Sequence, residues 1–400
     1  MTPEAFADVA VILAWIAIAT ALACFSTPLV VLRFIPDYLA TSRAGLARGV
    51  MQATMLATIA FSTALAGLAA LGILTGAIPL PRDLVQSSLF GAALLLPSVI
   101  MANMLGLFVS LKRPVAAELL VNVVRSALMM TGLGALWVAL RPPIPAPTVL
   151  ATFLAASVIA MLVCLAYGIA ILPREITVAR PAYAYREWRY SAVALTSVVI
   201  MSAINERIDL LLMGALAAPT DIATYAVAVR FAQTIAIAVS AVGSVVAPHV
   251  VERLQDLREG RRDELESLVR RSARTGFYVA LLALAGFAGL GPLFLALFGT
   301  PYEQAYAPLV LLAIGQAISA LAGPAGAFAA LAGEPRITVI ALTIGTIVNA
   351  TLNLLLVPVM AATGAALATA VGLIVTSVIA WRWARLRFLV DTSVYRFEAR

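Results

Sequence analysis

The sequence predicts an all-α membrane protein with eleven transmembrane helices. Two observations predict this class. Of 400 residues, 62% are hydrophobic and 12% are charged, whereas soluble domains are about one-quarter charged. Apolar runs of the length that crosses the hydrocarbon core, about 20 residues, also recur along the whole chain. Together these observations exclude a soluble globular protein.

Each apolar run of that length is predicted to be one span. In chain order the spans are 9–32, 52–78, 87–111, 115–140, 148–172, 191–216, 222–246, 275–298, 305–331, 337–358 and 363–381. Pro97, Pro292 and the run 323–326 (Gly-Pro-Ala-Gly) interrupt spans. Such breakers are tolerated where the freed carbonyls face protein or water, so these sites are either hinges or static kinks.

Basic residues predict the orientation. Of the 27 basic residues, all except Arg82, Arg125, Arg141, Arg207 and Arg230 lie in alternate connections or in the C-terminal tail. Positive residues concentrate on the cytoplasmic side. We therefore expect a multi-pass membrane protein with a cytoplasmic C-terminus and, with eleven spans, an external N-terminus.

Residue types exclude several functions. Lys112 is the sole lysine and lies in no GxxxxGK run, so no phosphate-binding loop is present. Cys24 and Cys164 lie inside apolar runs, and His249 has no partner at metal-ligand spacing. The connections on the external side are too short for a catalytic constellation. We expect no enzyme activity, no cofactor, no metal and no nucleic-acid partner.

An internal repeat predicts two lobes. Residues 3–10 align with residues 219–226 at a constant offset, so the first span corresponds to the seventh. The predicted N-terminal lobe is 1–172 with five spans, and the C-terminal lobe is 191–400 with six. Because the N-terminal lobe has one span fewer than the C-terminal lobe, we expect a six-plus-six plan from which the first helix is missing. This chain would then begin one helix late.

Residues 173–190 are predicted to be a cytoplasmic linker between the lobes. This segment mixes arginines with Tyr183, Tyr185, Trp188 and Tyr190. That mixture suits a helix that lies at the level of the lipid headgroups.

Charges within the sixth span are the main functional signal. Asn205, Glu206, Arg207 and Asp209 lie close to its midpoint. A charge at that depth costs about 2.5 to 3.5 kcal/mol on insertion scales, so each must face protein, water or a partner. On a continuous helix Asp209 shares a face with Asn205 and Glu206, while Arg207 points away from it.

Two further spans carry polar residues at helical spacing. The fourth span holds Glu118, Asn122 and Arg125, and the seventh holds Arg230 and Gln233. We expect the three stripes to converge on one central cavity between the lobes. Because guanidinium groups bind phosphate oxygens in a fork, Arg125, Arg207 and Arg230 suit an anionic headgroup. The alternative is that each arginine pairs with a carboxylate and only orients helices.

Several short motifs resemble those of one family. They are Leu32-Arg33-Phe34-Ile35-Pro36-Asp37-Tyr38-Leu39, Asn205-Glu206-Arg207-Ile208-Asp209, Tyr225-Ala226-Val227-Ala228-Val229-Arg230-Phe231-Ala232, Gly333-Glu334-Pro335-Arg336 and Asn349 to Pro358. They are similar to motifs of bacterial polysaccharide (O-antigen type) flippases. The superfamily of these flippases also holds MATE multidrug exporters and lipid II flippases.

The resemblance implies a cargo and partners. The cargo would be a polyprenyl-pyrophosphate-linked oligosaccharide, bound by Arg125, Arg207, Arg230, Asn122, Asn205 and Gln233. Glu206, Asp209 and Glu118 would couple transport to an ion gradient. The resemblance also implies a bacterial inner membrane as its location, with membrane lipids and a glycan polymerase or glycosyltransferases as partners. The alternatives are a MATE-like multidrug exporter, which the cavity arginines disfavour for cationic cargo, and a noncatalytic scaffold.

Overall fold

A computed structural model describes residues 2–140, 143–258, 263–296, 299–332 and 334–395. Within these residues the chain is helical and contains no β-strand. It divides into two compact units, Met1–Ala203 and Ile204–Arg400. The predicted positions Arg141 and Gly333 lie outside the described residues. The lobe boundaries at 172 and 191 stay a prediction, since the division between the units falls after Ala203.

The first unit contains nine α-helices among its described residues. They are α1 (Pro3–Cys24), α2 (Thr27–Ala40), α3 (Ala44–Leu74), α4 (Arg82–Ser110), α5 (Pro114–Glu118), α6 (Arg125–Leu140), α7 (Ala146–Ile171), α8 (Arg174–Val178) and α9 (Tyr185–Asn205), and α9 runs into the second unit. A π-helical segment, Leu119–Val124, joins α5 to α6.

Helix α4 forms the centre of the first unit and packs against α1, α2, α3 and α7. The first predicted span is broken where α1 meets α2, because Phe25 and Ser26 both have positive φ, 44° and 54°. Gly106 of α4 allows the close approach there, since a Cβ on it would lie 2.5 Å from the carbonyl oxygen of Pro28. The break is therefore held from the side by the central helix.

The second unit contains six further α-helices among its described residues. They are α10 (Ile208–Leu216), α11 (Pro219–Arg258), α12 (Asp263–Ala296), α13 (Tyr306–Leu321), α14 (Ala325–Leu331) and α15 (Pro335–Phe388). Helix α1 begins at Pro3 and α11 at Pro219, the two prolines that the sequence repeat aligns.

Helix α15 packs against α10, α13 and α14 and is interrupted in its middle. Ala361 has φ 47° and ψ −126°, so the helical backbone is broken there. Gly364 lies close to this break, where a Cβ would lie 2.5 Å from the carbonyl oxygen of Leu356. The predicted spans 337–358 and 363–381 are the two halves of α15.

Nine helices in the described part of the chain are long and apolar enough to cross a membrane. The eleven predicted spans correspond to these nine helices for two reasons: one helix covers two spans, and one span is divided between two helices. Helix α15 accounts for two predicted spans. The predicted span 191–216 is divided between α9 and α10, so neither part of it appears among the nine. The prediction of a polytopic all-α membrane protein is confirmed.

The segment 173–190 is not the single surface helix that its composition predicts, because its helical parts are separated. Only α8 and the start of α9 are helical, and an extended stretch joins them. This stretch and the end of α8 pack on α3. The backbone N–H of Ala182 donates to the carbonyl of Gly45 at 2.9 Å, and Arg48 donates to the carbonyls of Thr177 and Ala179 at 2.6 and 2.8 Å. Backbone groups that bond to α3 are not available for a helix of their own.

The three predicted breakers behave differently. Pro97 lies inside α4 and Pro292 inside α12, and both helices continue through the proline. Gly323 has φ +71° and lies between α13 and α14. The predicted hinge at 323–326 therefore coincides with a break in the helix, whereas Pro97 and Pro292 do not.

Candidate functional site

A buried carboxylate lies at the start of α10. Asp209 is 4% exposed. Its Oδ1 accepts a hydrogen bond from the backbone N–H of Leu210 at 2.8 Å. Its Oδ2 accepts from the hydroxyl of Tyr225 on α11 and from Thr369 Oγ1 on α15, the latter at 3.3 Å. Three helices thus supply the donors that a buried carboxylate requires.

Two asparagines extend this network along α15. Asn349 Oδ1 lies 3.4 Å from Thr369 Oγ1 and accepts from Asn353 Nδ2 at 2.7 Å. Both asparagines are buried, and the Oδ1 of Asn353 is a buried atom without a hydrogen-bond partner. We call Asp209, Tyr225, Asn349, Asn353 and Thr369 the Asp209 cluster. Its carboxylate, amide and hydroxyl oxygens can together hold a proton or a small hard cation.

The sixth predicted span is broken next to this cluster. Helix α9 ends at Asn205, Arg207 has non-helical torsions of φ −131° and ψ −10°, and α10 begins at Ile208. The break places Asp209 in the first turn of α10, where the positive end of the helix dipole stabilises a negative charge. Asn205 Oδ1 accepts from Thr346 Oγ1 of α15 at 2.7 Å. The end of α9 is thereby fixed to α15, which also carries Asn349, Asn353 and Thr369 of the cluster.

Two arginines of the second unit lie near one another, and Arg207 also interacts electrostatically with the buried carboxyl group of Asp209. The positive charges of Arg207 and Arg230 interact unfavourably. The Nε of Arg207 is buried and has no hydrogen-bond partner, while Arg230 Nη1 donates to Gln233 Oε1 at 3.4 Å. Among the described residues neither arginine forms an ion pair. Glu206 is exposed.

In the first unit, the predicted stripe on the fourth span is divided. Asn122 Nδ2 donates to Glu118 Oε2 at 2.6 Å, and both residues are exposed. The guanidinium of Arg125 instead lies over the ring of Phe153 on α7, 5.5 Å from its centroid. The π-helical turn between them adds a residue to the turn, so the α-helical spacing that places Arg125 in line with Glu118 is lost.

The predicted site residues are divided between the two units. Arg125, Glu118 and Asn122 belong to the first unit, and Asn205, Glu206, Arg207, Asp209, Arg230 and Gln233 to the second. The convergence of all three arginines on one cavity stays a prediction, as do the binding and coupling roles assigned to these residues. In the described part of the chain no group of His, Cys, Asp or Glu side chains is arranged to hold a metal ion.

The side chains that donate hydrogen bonds to Asp209 were not predicted to be site residues. Tyr225 and Thr369 are single hydroxyl residues in apolar runs and carry no periodic signal. Asn349 and Asn353, four residues apart within a predicted span, do provide one, because two amides on one face of a membrane helix require partners.

The first unit has its own buried network of polar hydrogen bonds, which was not predicted from the sequence. Asn103 Nδ2 on α4 donates to Thr58 Oγ1 at 2.6 Å, and Thr58 Oγ1 lies 3.1 Å from Thr27 Oγ1, beside the break between α1 and α2.

Comparisons with known proteins identify the fold. No family model matches the chain, and no curated protein matches it in sequence. Solved structures do match over 97% of this chain. One is the inward-facing conformation of a multidrug resistance MATE family transporter of the MOP superfamily, with 14% identity, 91% of that chain covered and a TM-score of 0.81.

Two further structures agree with this match. The outward-facing conformation of a multidrug resistance MATE family transporter matches with 14% identity, 89% coverage of that chain and a TM-score of 0.68. A MOP superfamily transporter from Pyrococcus furiosus, whose binding pocket of reverse polarity suggests a different function, matches with 15% identity, 89% coverage and a TM-score of 0.64. The chain therefore has the fold of MATE-type transporters of the MOP superfamily.

Proposed function

We propose that this protein is a secondary transporter that works by alternating access and moves a lipid-linked oligosaccharide with a pyrophosphate headgroup from the cytoplasmic to the periplasmic leaflet. Its fold, which is that of transporters, supports the first part of the proposal. The cargo class rests on Arg207 and Arg230. The protein works in the bacterial inner membrane, with a cytoplasmic C-terminus, beside glycosyltransferases and a glycan polymerase.

The single observation that carries the cargo class is the state of Arg207. Its Nε is buried without a hydrogen-bond acceptor, and the nearby charge of Arg230 is of the same sign. Asp209 is close enough to attract Arg207 but does not accept a hydrogen bond from this Nε. An arginine that only orients helices would be expected to meet a carboxylate, and within the described residues it forms no ion pair. A phosphate group would satisfy the buried donor and neutralise the repulsion between the two guanidinium groups.

The Asp209 cluster supports ion coupling. Of the three carboxylates that the sequence nominates, Glu118 and Glu206 are exposed and Asp209 is buried. A buried carboxylate that is surrounded by hydroxyl and amide oxygens is a suitable carrier for a coupling proton or cation. Asp209 is therefore the coupling residue in this proposal.

A multidrug exporter of the same fold is the second candidate. The Asp209 cluster favours it, because an ion-coupled exporter needs a carboxylate of this kind, and two of the matching structures are of multidrug resistance transporters. Organic cations would be repelled by Arg207 and Arg230. For this reason the anionic lipid-linked cargo is preferred.

Deletion of the gene separates the two candidates. The flippase predicts that polyprenyl-linked oligosaccharide accumulates and that drug tolerance stays unchanged. Wild-type protein and the Arg174→Ala variant should restore the normal lipid pool, since Arg174 is exposed on the predicted cytoplasmic segment, whereas Arg207→Ala should not. Lower drug tolerance without accumulation of the lipid would favour the exporter.

A further inference from the structure

A basic groove lies in the first unit, and none of the predicted cargo-binding or ion-coupling residues lines it. Its volume is about 850 Å³. Three arginines line it: Arg33 from α2, and Arg186 and Arg189 from the first turns of α9. Glu187 is the acidic side chain of the lining, so the charged groups of the groove sum to two positive charges.

The three arginines line the groove from two helices. Arg186 and Arg189 are three residues apart and so lie on one face of α9. Arg33 Nη1 donates to Ser191 Oγ at 3.3 Å, and its guanidinium lies 5.4 Å from the centroid of the Phe34 ring. These contacts fix the position of one guanidinium and leave its remaining N–H groups available. In the described part of the chain none of the three arginines forms an ion pair.

Aromatic residues flank the arginines. The rings of Tyr183 and Tyr185 stack with centroids 5.2 Å apart, and Trp188 meets both rings edge-on. Tyr190 is 82% exposed. Tyrosine and tryptophan are enriched where a membrane protein crosses the boundary between hydrocarbon and water.

The position of the groove along the chain indicates its depth. Arg33 directly follows the predicted span 9–32, and Ser191 begins the predicted span 191–216. Both points lie on the predicted cytoplasmic side. This predicted topology puts the groove at the level of the headgroups of the cytoplasmic leaflet, where phosphate is the abundant anion and the surface is negatively charged.

We propose that this groove binds the phosphate headgroup of an anionic phospholipid of the cytoplasmic leaflet. Guanidinium groups from α2 and α9 hold the phosphate oxygens, and Tyr185 and Tyr190 contact the glycerol region. The bound lipid would join the end of α2 to the start of α9 within the first unit. This proposal goes beyond the cargo of the transporter and does not depend on it.

Native mass spectrometry tests the site with phosphatidylglycerol as the probe. The full chain is titrated with phosphatidylglycerol and, separately, with phosphatidylcholine. We expect Arg186→Gln/Arg189→Gln to bind the first phosphatidylglycerol about tenfold or more weakly than wild type, because two basic contacts with the headgroup are lost. The matched control is Arg174→Gln/Arg180→Gln, which removes the same charge from the same segment outside the groove, and it should bind as wild type does.

A second measurement needs no variant. In nanodiscs, phosphatidylglycerol should slow amide hydrogen exchange in residues 185–191, and phosphatidylcholine should not. Equal loss of binding in both double variants, or no loss in either, would overturn the proposal. It would also be overturned if a polyprenyl pyrophosphate protected residues 185–191 and phosphatidylglycerol did not, since the groove would then be a site for the cargo.

Discussion

The hydroxyl of Tyr225 on α11 donates a hydrogen bond to the buried carboxylate of Asp209 on α10. Both side chains are almost completely buried, at 0% and 4% exposed. Thr369 of α15 contacts both of them, with its Oγ1 2.9 Å from the Tyr225 hydroxyl. Three helices of the second unit therefore meet at one carboxyl group, and their packing depends on its hydrogen bonds.

Tyr225→Phe should destabilise the second unit by about 1–2 kcal/mol, because the carboxylate loses a donor at a site that excludes water. Thermal unfolding in detergent measures this loss. Tyr278→Phe is the matched control, since Tyr278 is 63% exposed, and it should leave the unfolding temperature unchanged. Equal unfolding temperatures for the two variants would show that the hydrogen bond contributes little.

Asp209→Asn should uncouple transport from the ion gradient while the protein remains folded. The amide has nearly the shape of the carboxylate but carries no charge for a coupling ion to neutralise. Transport by wild-type protein in liposomes should increase when an ion gradient is imposed, and transport by the variant should not. Glu206→Gln provides the comparison, because Glu206 is exposed. Loss of gradient dependence in Glu206→Gln alone would assign coupling to Glu206 instead.

Gly49→Ala should loosen the segment that precedes α9. A Cβ on Gly49 would collide with the carbonyl oxygen of Ala182, and overpacking of this kind costs about 1–3 kcal/mol. Trypsin should therefore cleave after Arg186 faster than in wild type. Gly67→Ala, on the same helix, is the control, because no atom lies within 4 Å of its Cβ position. Unchanged cleavage in Gly49→Ala would contradict the packing of this segment on α3.

Deprotonation of Tyr38 should make the protein less stable at high pH. This residue lies between the first two predicted spans, and its hydroxyl accepts from Trp188 Nε1 at 2.9 Å. Burial raises the pKa of Tyr38 above its ordinary value of 10.0. The unfolded chain therefore loses this proton at a lower pH than the folded protein. Stability is fully present below about pH 10 and decreases as the pH rises toward the folded pKa.

Urea unfolding from about pH 9 to about pH 11 tests this dependence. Tyr38→Phe should reduce the loss of stability over that interval, and Tyr278→Phe should not. The same slope in wild type and Tyr38→Phe would exclude Tyr38 as its source.

Gly323→Ala should release the last described segment of the chain. Gly323 has φ +71°, and a Cβ there would collide with the carbonyl oxygen of Thr392. Thr392 Oγ1 also donates to the Ala322 carbonyl at 2.9 Å, and the Val394 N–H donates to the Leu321 carbonyl at 3.0 Å. Hydrogen exchange in residues 391–395 should become faster in the variant. Gly326→Ala, whose Cβ would make only ordinary contacts at 3.5 Å, should exchange as wild type does.

Most of the fold could be predicted from the sequence. Runs of about 20 apolar residues are a strong signal, and their positions agree with helices such as α4 and α7. The break at Arg207 could not be predicted, because nothing in a run of apolar and charged residues distinguishes a continuous helix from one whose end is fixed by Thr346, far along the chain. The same holds for the left-handed turn at Phe25 and Ser26, which depends on packing against α4.

The site could be predicted only in part. Asp209 and Arg207 could be predicted as site residues, because the free energy of placing a charged side chain within a span is high. Their partners Tyr225 and Thr369 are hydroxyl residues that occur throughout apolar helices. Only the tertiary structure reveals which of them meets a carboxylate. Arg125 lies away from Glu118 because of the π-helical turn, a local irregularity with no signature in composition.

A transport measurement in liposomes tests most directly whether Arg207 binds an anionic lipid-linked sugar. The purified protein is reconstituted with a fluorescently labelled polyprenyl-pyrophosphate oligosaccharide, and the fraction of label accessible to external dithionite is followed. Wild-type protein and Arg174→Ala should move the label across the bilayer. Arg207→Ala should be about tenfold or more slower, since a charge-assisted contact with phosphate is lost. Equal rates for Arg207→Ala and wild type, or no movement above that in protein-free liposomes, would contradict the proposal.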